Sequence, residues 1–397
     1  MKILILLSRV PFPIEKGDKL RAFNHLRLLS KNNDIVLCAL NNKPLHPEAL
    51  EQIKPYCSQV KIIQISWLET ISGLIWAFFT GKPFQVGYFY SFRAKRKIAR
   101  LVDETAPDHI FCQLVRTAEY VRKLRTPKTL DYQDVLSTGY KRRADQSGFL
   151  SGLFFHIEHK RLLRYEKAVF DDFDGKAIIS IPDRDLIPHP LRKEIEVIPN
   201  GVDFNYFQPV VHPRNYDIVF TGNMNYPPNV DAACFLVKEI LPLVLRIHPG
   251  IRVLLAGAYP HSRVLGLKSE QVSVSGWVPD IRNSYACAKI FIAPMQIGTG
   301  LQNKLLEAMA MGLPCITSPL ANNALGAKAG EEILIGNSPD EYASMILGLL
   351  NDDVYAGNIA RKGRDFVFRN FDWQETTNRL EQLMEKNTPS LHKQFKA

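Results

Sequence analysis

Lys304 and Glu307 follow a run of small and polar residues, Gly298, Thr299, Gly300, Leu301, Gln302 and Asn303, in the stretch MQIGTGLQNKLLEAMAMGLPCITS (295–318). Glycines let a backbone come close to a ligand, and the unpaired N–H groups of a first helical turn favour a phosphate. Lys304 would add a point charge to a diphosphate. Glu307, about one turn further on, would accept hydrogen bonds from sugar hydroxyls such as those of a ribose. A carboxylate beside a phosphate is unfavourable unless it faces a hydroxyl, so the pair implies two different ligand groups. An ordinary capped helix with an exposed Lys and Glu has the same letters, and both readings stand at this point.

Such a loop needs a rigid strand before it and a helix after it. Ile290, Phe291, Ile292 and Ala293 supply the strand, Pro294 stops it, and 302–311 carries a helical pattern. The runs DIVFTG (217–222), IRVLLAGA (251–258), VSVSGWV (272–278) and LPCITS (313–318) are further short strands, with helical patterns at 229–245, 280–288 and 339–350. Alternating strands and helices predict a parallel, doubly wound sheet. The first half repeats the pattern with KILILLS, DIVLCAL, QVKIIQI, HIFCQ, KTLDY and KAIIS. Two α/β domains are therefore expected, over 1–195 and 196–370. The junction lies in KEIEVIPNGVDFNYFQP, and a helix over 371–387, anchored by Phe371 and Trp373, joins the first domain. Ligands of such sheets bind outside the carboxyl ends of the strands, and two facing sheets would place a cleft there.

A chain of 397 residues exceeds what one hydrophobic core usually serves, which agrees with two domains. The six cysteines form no C-x-x-C pair and have no His at metal-ligand spacing, so they read as reduced core residues. KILILLS is too short for a signal peptide, and a cytoplasmic location is expected. The net charge of +10 is uneven: residues 1–200 hold 32 Lys and Arg against 22 Asp and Glu, whereas residues 201–397 hold 18 of each. The excess includes Arg93 to Arg100 (RAKRKIAR) and Lys141, Arg142 and Arg143. Either a solvated helix face or an anionic partner accounts for it.

Four motifs in order, VIPNGVD (197–203), FTGNM (220–224), GWVPDI (276–281) and NKLLEAMAMGLP (303–314), resemble the retaining nucleotide-sugar glycosyltransferases of family 4. The likeness is close over the second half and loose over the first. It implies the GT-B fold: two Rossmann-like domains facing across a cleft, the second binding the donor and the first the acceptor. Donor residues implied by it are Asn200, Gly222, Asn223, the nucleobase turn at Trp277, Val278 and Pro279, the loop Gly298 to Asn303, and Lys304 and Glu307. Glu307 matches the second carboxylate of the family's E-x7-E motif, which holds the ribose. The first carboxylate, which touches the transferred sugar, is replaced by Thr299, so Thr299, Lys304 and Glu307 are the catalytic candidates. The Arg and Lys that often follow FTGNM are also absent, since NMNYPPN stands there.

In the first half, RVPFPIEKGDKLR follows the first strand where the family places a loop against the donor phosphate, and Gly17 is the matching residue. The wording KGDKLR is similar to sugar transferases of bacterial exopolysaccharide systems. Asp18, Arg21, Gln113 and Asp134 are acceptor-side candidates. Asp131 shares that expectation, with helix capping as the alternative. The triplets Asp172/Asp174 and Asp183/Asp185 have the letters of a metal-held diphosphate site, but the second follows the strand KAIIS and reads as a helix start, and no metal is expected.

Residues 67–92, WLETISGLIWAFFTGKPFQVGYFYSF, are too short and too interrupted to span a bilayer. They fit either a surface that dips into an anionic membrane interface or a buried helix. The reading reached from sequence is transfer of a sugar, with retention, from a UDP- or GDP-sugar to a lipid-linked or saccharide acceptor. The expected setting is cell-surface or exopolysaccharide synthesis, cytoplasmic or peripheral at the inner face of the membrane. No cofactor is expected beyond the nucleotide sugar, and no nucleic acid is expected as a partner. A nucleotide-sugar epimerase and a catalytically silent sugar-nucleotide-binding relative are the alternatives.

Overall fold

The computed structural model of the chain describes residues 1–297 and 300–388, without the side chains of Gln146 and Leu150. Met1–Pro199 with Gln374–Ala397 forms one unit, and Asn200–Trp373 forms the other.

The first unit is built on a parallel sheet of β1 (Lys2–Leu7), β2 (Asp34–Asn41), β3 (Gln59–Gln64), β4 (His109–Gln113), β5 (Lys128–Asp131), β6 (Gly175–Ile178) and β7 (Glu196–Val197), in the order β3-β2-β1-β4-β5-β6-β7. β1 shows why the runs are continuously apolar. Leu4 and Leu6 enter one core layer while Ile3, Ile5 and Leu7 enter the other, so both faces are covered. Around the sheet lie α1 (Gly17–Leu29), α2 (Trp67–Thr80), α3 (Phe84–Tyr88), α4 (Phe92–Thr105), α5 (Leu136–Gln146) and α6 (Phe149–Phe170). The C-terminal helix Trp373–Lys386 completes the layer by burying Leu380 and Met384 with Ile3, Ile5 and Phe111, and Thr377 Oγ1 meets the His25 Nδ1 at 2.9 Å.

The second unit has the strands β8 (Tyr216–Thr221), β9 (Val253–Ala256), β10 (Val272–Gly276), β11 (Ala288–Ala293), β12 (Cys315–Thr317) and β13 (Leu334–Ile335), in the order β10-β9-β8-β11-β12-β13 and all parallel. Its helices include α7 (Pro227–Phe235), α8 (Ile281–Ala286) and α9 (Asn303–Ala310). The doubly wound expectation holds in both units. The two-residue edge strands β7 and β13 escape a sequence reading because two residues show no period. The helical pattern at 229–245 is broken by a π-helical turn, Leu236–Ile240, directly before Pro242. A mid-helix proline lacks an N–H and crowds the carbonyl four residues back, and the wider turn relieves both.

Arg21 and Asp131 do not face an acceptor. Both side chains are fully buried, and the guanidinium donates from Nε to Oδ2 at 2.7 Å and from Nη2 to Oδ1 at 3.2 Å, tying α1 to the end of β5. A charge at that depth must be matched internally, so the pair is spent on the fold. Gln113 is likewise buried, its Nε2 donating to the backbone oxygen of Asp18 at 3.1 Å. Asp131→Asn should destabilise this unit by about 3–5 kcal/mol because it strands a buried guanidinium, whereas the double change Arg21→Met with Asp131→Leu should cost far less. Urea unfolding midpoints compare the two, and equal losses would refute the assignment.

Candidate functional site

In the second sheet the strand order reverses between β8 and β11, so the loops leaving these two strands flank the crevice of a doubly wound sheet. Gly222 ends the first of them. Its φ is +152°, and a Cβ there would lie 2.7 Å from the Asn229 Nδ2 and 3.3 Å from the Lys304 Nζ. The positive φ favours glycine, and a side chain there would press on Asn229 and Lys304. Gly257, after β9, is tighter still, since a Cβ would lie 1.8 Å from the Gly222 oxygen.

Lys304 lies in the first turn of α9, a helix whose N-cap residue Gln302 makes no side-chain cap; its Nε2 donates instead to the Gly300 oxygen at 2.9 Å. Gln302 therefore leaves the first turn without its own side-chain cap, and the Leu305 N–H donates to the Gln302 backbone oxygen at 2.9 Å. The Lys304 ammonium donates to the Asn229 Oδ1 and stands 4.8 Å from the centroid of the Phe220 ring. Burial pushes its pKa down to about 7, with Glu307 opposing. One turn on, Glu307 accepts from the Tyr285 hydroxyl at 2.6 Å, and that hydroxyl is 2.9 Å from the Thr221 Oγ1. Burial raises the Glu307 pKa, against the Tyr285 hydrogen bond and the Lys304 charge. One carboxylate oxygen is thus held from below by a fully buried phenol. What results is a fixed cation and a fixed hydrogen-bond acceptor beside a helix N-terminus.

The other donor candidates gather near these groups in different degrees. Asn200 is buried and its Nδ2 donates to the Asn303 Oδ1 at 3.1 Å, which fixes the side chain at the start of α9. Asn223 is exposed, with its Oδ1 accepting from the Asn225 N–H at 3.0 Å. Trp277 and Pro279 are exposed and Val278 is half-buried, at the turn after β10. Leu301 packs against the core of the unit. Gly298 and Thr299 lie outside the described residues.

In the first unit Gly17 is exposed at the start of α1, and Asp18 accepts from the Arg9 Nη1 at 2.8 Å. Asp134 is exposed after β5. Sequence reasoning missed Arg9 and Arg116, whose guanidinium carbons lie 5.6 and 5.3 Å from the Phe89 ring centroid. It also missed Asn229 and Tyr285. Asn229 had a signal, a polar residue directly after the Pro227-Pro228 helix start; Tyr285, in an apolar run, had none.

Among the described residues no cluster of three His, Cys, Asp or Glu side chains could hold a metal ion. Asp172 pairs with Arg122 and Lys123, and the Asp174 carboxylate accepts from the Lys128 backbone N–H at 2.9 Å. Asp183 sits in a short helix whose N-cap, Ser180, accepts from its N–H at 3.2 Å.

The chain is similar to several known proteins. Residues 215–352 match the model of the family described as Glycosyl transferases group 1. The chain is 21% identical to an uncharacterized 44.6 kDa protein in the cps region of Klebsiella pneumoniae, over 94% of this chain and 96% of that one. It is 26% identical to the UDP-Gal:alpha-D-GlcNAc-diphosphoundecaprenol alpha-1,3-galactosyltransferase of Escherichia coli, over 50% of this chain and 56% of the other. Among solved structures, Anabaena Alr3699/HepE in complex with UDP superposes with a TM-score of 0.70 at 15% identity, covering 97% of this chain and 100% of that one. Sucrose-phosphate synthase from Thermosynechococcus elongatus does so with a TM-score of 0.69 at 16% identity, covering 97% and 99%.

The burial of Lys304 has a cost that pH can read. Its folded pKa lies below the unfolded value, so desolvation of the charged form weighs fully below about pH 7 and vanishes as pH approaches the unfolded value near ~10.4. Lys304→Met should therefore melt higher than the ligand-free parent at pH 7, and the gain should shrink toward pH 10. A gain that is absent or constant over that range would show that the ammonium is not desolvated.

Proposed function

We propose, from the premise that this chain is a glycosyltransferase of the GT-B fold with a Glycosyl transferases group 1 domain, that it moves a sugar from a nucleoside diphosphate to an acceptor hydroxyl with retention of configuration. The observation that carries this is the juxtaposition of Lys304, the uncapped start of α9 and the Tyr285-anchored Glu307 at the strand switch point. A diphosphate needs the first two and a ribose needs the third. UDP as the carrier is supported by the neighbour solved with UDP, and GDP is the alternative.

In the transfer, the bond from the anomeric carbon to the diphosphate oxygen breaks and a bond to the acceptor oxygen forms on the same face. The acceptor proton passes to the departing diphosphate. Lys304 and the first-turn N–H groups stabilise charge growing on that leaving group, which is the larger share of what the protein supplies. Thr299 would offer its hydroxyl and backbone to the transferred sugar. No step calls on a divalent cation.

A lipid-linked acceptor is supported by the Escherichia coli relative, whose name specifies a diphosphoundecaprenol acceptor, and the cps-region relative fits a role in cell-surface polysaccharide. Such an acceptor would suit work at a membrane, at its inner face, although no described helix is long and apolar enough to cross one. The surface that suits this is α2. Trp67, Leu68, Ile71, Ile75, Phe78 and Phe79 all point outward, with Phe79 at 80% exposure. The inward face is locked: a Cβ on Gly73 would lie 2.2 Å from the Gly87 oxygen, Trp76 stacks on Tyr90 at 4.2 Å, and Arg93 binds Glu69. Phe84 of α3 stacks on Phe154 of α6, which extends the apolar surface to Phe149 and Leu153, and Arg161 donates to the Ala77 and Lys82 oxygens. A rigid apolar ridge on a unit carrying the whole positive excess suits an anionic interface.

Calorimetry and transfer assays on three variants test the donor reading. Lys304→Ala should lower turnover more than donor affinity. Glu307→Gln weakens a charge-assisted bond by ~1–2 kcal/mol, so free UDP should bind roughly tenfold more weakly. Thr299→Ala should slow transfer and leave UDP affinity nearly unchanged. Normal binding and transfer in Glu307→Gln would return α9 to an ordinary surface helix. Product formed from donor alone, with no acceptor, would favour the epimerase.

For the membrane, binding to phosphatidylglycerol vesicles should weaken as salt rises, and Ile75→Asp with Phe79→Asp should abolish it at every salt concentration. Binding that is equal for neutral vesicles, or untouched by the two substitutions, would remove α2 from the interface.

A further inference from the structure

In the first sheet the strand order reverses between β1 and β4, so the loops leaving those two strands flank a crevice within this unit. Each loop carries an arginine. Arg9 follows β1, Arg116 lies in the short turn Val115–Thr117 after β4, and both guanidiniums stand over one shared ring, that of Phe89. The fold treats the two differently. Arg9 donates from Nη1 to the Asp18 Oδ2 at 2.8 Å, and the Asp18 backbone oxygen accepts from the Gln113 Nε2. Arg116 has no hydrogen bond or ion pair among the described residues, although its Nε is buried. Burial, then the Arg9 charge, pushes its pKa below the ordinary value against Asp134 and Asp18. The backbone around it is strained as well. Leu114, just before the turn, has φ +65°, and Gln133, after the adjacent strand β5, has φ +64° and a buried Nε2 with no partner among the described residues.

A desolvated guanidinium without a partner destabilises the fold, and backbone strain persists where a ligand is held. The planar fork of an arginine matches a phosphate. Phe89 indicates which kind of phosphate. It ends α3, whose first residue, Phe84, stacks on Phe154 in the apolar ridge, and the helix spans only about 7.5 Å between the two. Cations this close to an apolar surface suit a phosphate that carries a hydrocarbon chain. We infer that Arg116, with Arg9, cradles the diphosphate of a lipid-linked acceptor, whose chain runs along α3 to the ridge. This rests on the lipid-linked reading of the acceptor and gives that acceptor a site in the first unit.

The test titrates the full chain by calorimetry with farnesyl diphosphate, with farnesol and with UDP, and records melting curves, for the parent, Arg116→Met and Arg116→Lys. Arg116→Met should melt at or above the parent, because a desolvated charge is gone. It should bind farnesyl diphosphate roughly tenfold more weakly and keep the parent's affinity for farnesol and UDP. Arg116→Lys restores the charge without the fork and should bind farnesyl diphosphate with intermediate affinity. The cradle is overturned if Arg116→Met binds farnesyl diphosphate as the parent does, or if it melts well below the parent, which would give the guanidinium to the fold. A fall in UDP affinity by the same factor would assign Arg116 to the donor and overturn the acceptor site. A parent that binds farnesyl diphosphate no more tightly than farnesol overturns the cradle and the lipid-diphosphate acceptor together, and its UDP affinity still reports on the donor reading separately.

Discussion

A parallel strand buried on both faces has no side chain left for chemistry, and that constraint organises both units. The apolar residues of β1 and of the central strands of the second sheet are given to one core layer or the other. Reactive groups can then appear only where strands end. The end chosen is the crevice where the strand order reverses, because adjacent loops there turn to opposite sides and leave room. Gly222, the loop after β11 and α9 occupy that place in the second unit.

Within this frame two charged pairs behave in opposite ways. Arg21 and Asp131 satisfy each other by a two-pronged bond at zero exposure, so their charges are neutralised inside the fold. Lys304 and Glu307 are held apart by separate partners, Asn229 on one side and Tyr285 on the other. Each is fixed by the protein and half-buried, which leaves its charge for something that arrives. Desolvation that lowers the Lys304 pKa is the cost of aiming an ammonium at a site where water is scarce.

The first unit adds a surface of a different kind. α2 is held by backbone contact at Gly73 and Gly87 and by Glu69, which both caps the helix and binds Arg93. Those fixed inner contacts are what allow the outer face to stay apolar without collapsing onto the core. The basic run Arg93 to Arg100 rides on α4, whose Ala94, Ile98 and Leu101 are buried, so its charges form a solvated face beside that surface.

Sequence alone determined the two alternating α/β halves, the positions of the long strands along the chain and the glycine-lysine-glutamate run, because buried parallel strands and helix starts leave local signatures in residue type and period. The grouping of Asn200 and the turn at 276–279 with the loop before α9 came from the family resemblance rather than from period or residue type. What the sequence could not decide was which polar residues are spent on one another. Arg21 read as an acceptor-side residue, and Asp131 as that or a helix cap, until their pairing across 110 positions became visible. Tyr285 was seen to hold Glu307, and Asn229 to be a partner of Lys304, only when α8, α7 and α9 came together. Whether the aromatic helix at 67–80 is buried or exposed was equally undecided, since the same letters serve both, and only packing at Gly73 settled which face turns inward. Period and residue type are local properties, whereas desolvation and pairing depend on neighbours distant in the chain, and the tertiary structure alone supplies those neighbours.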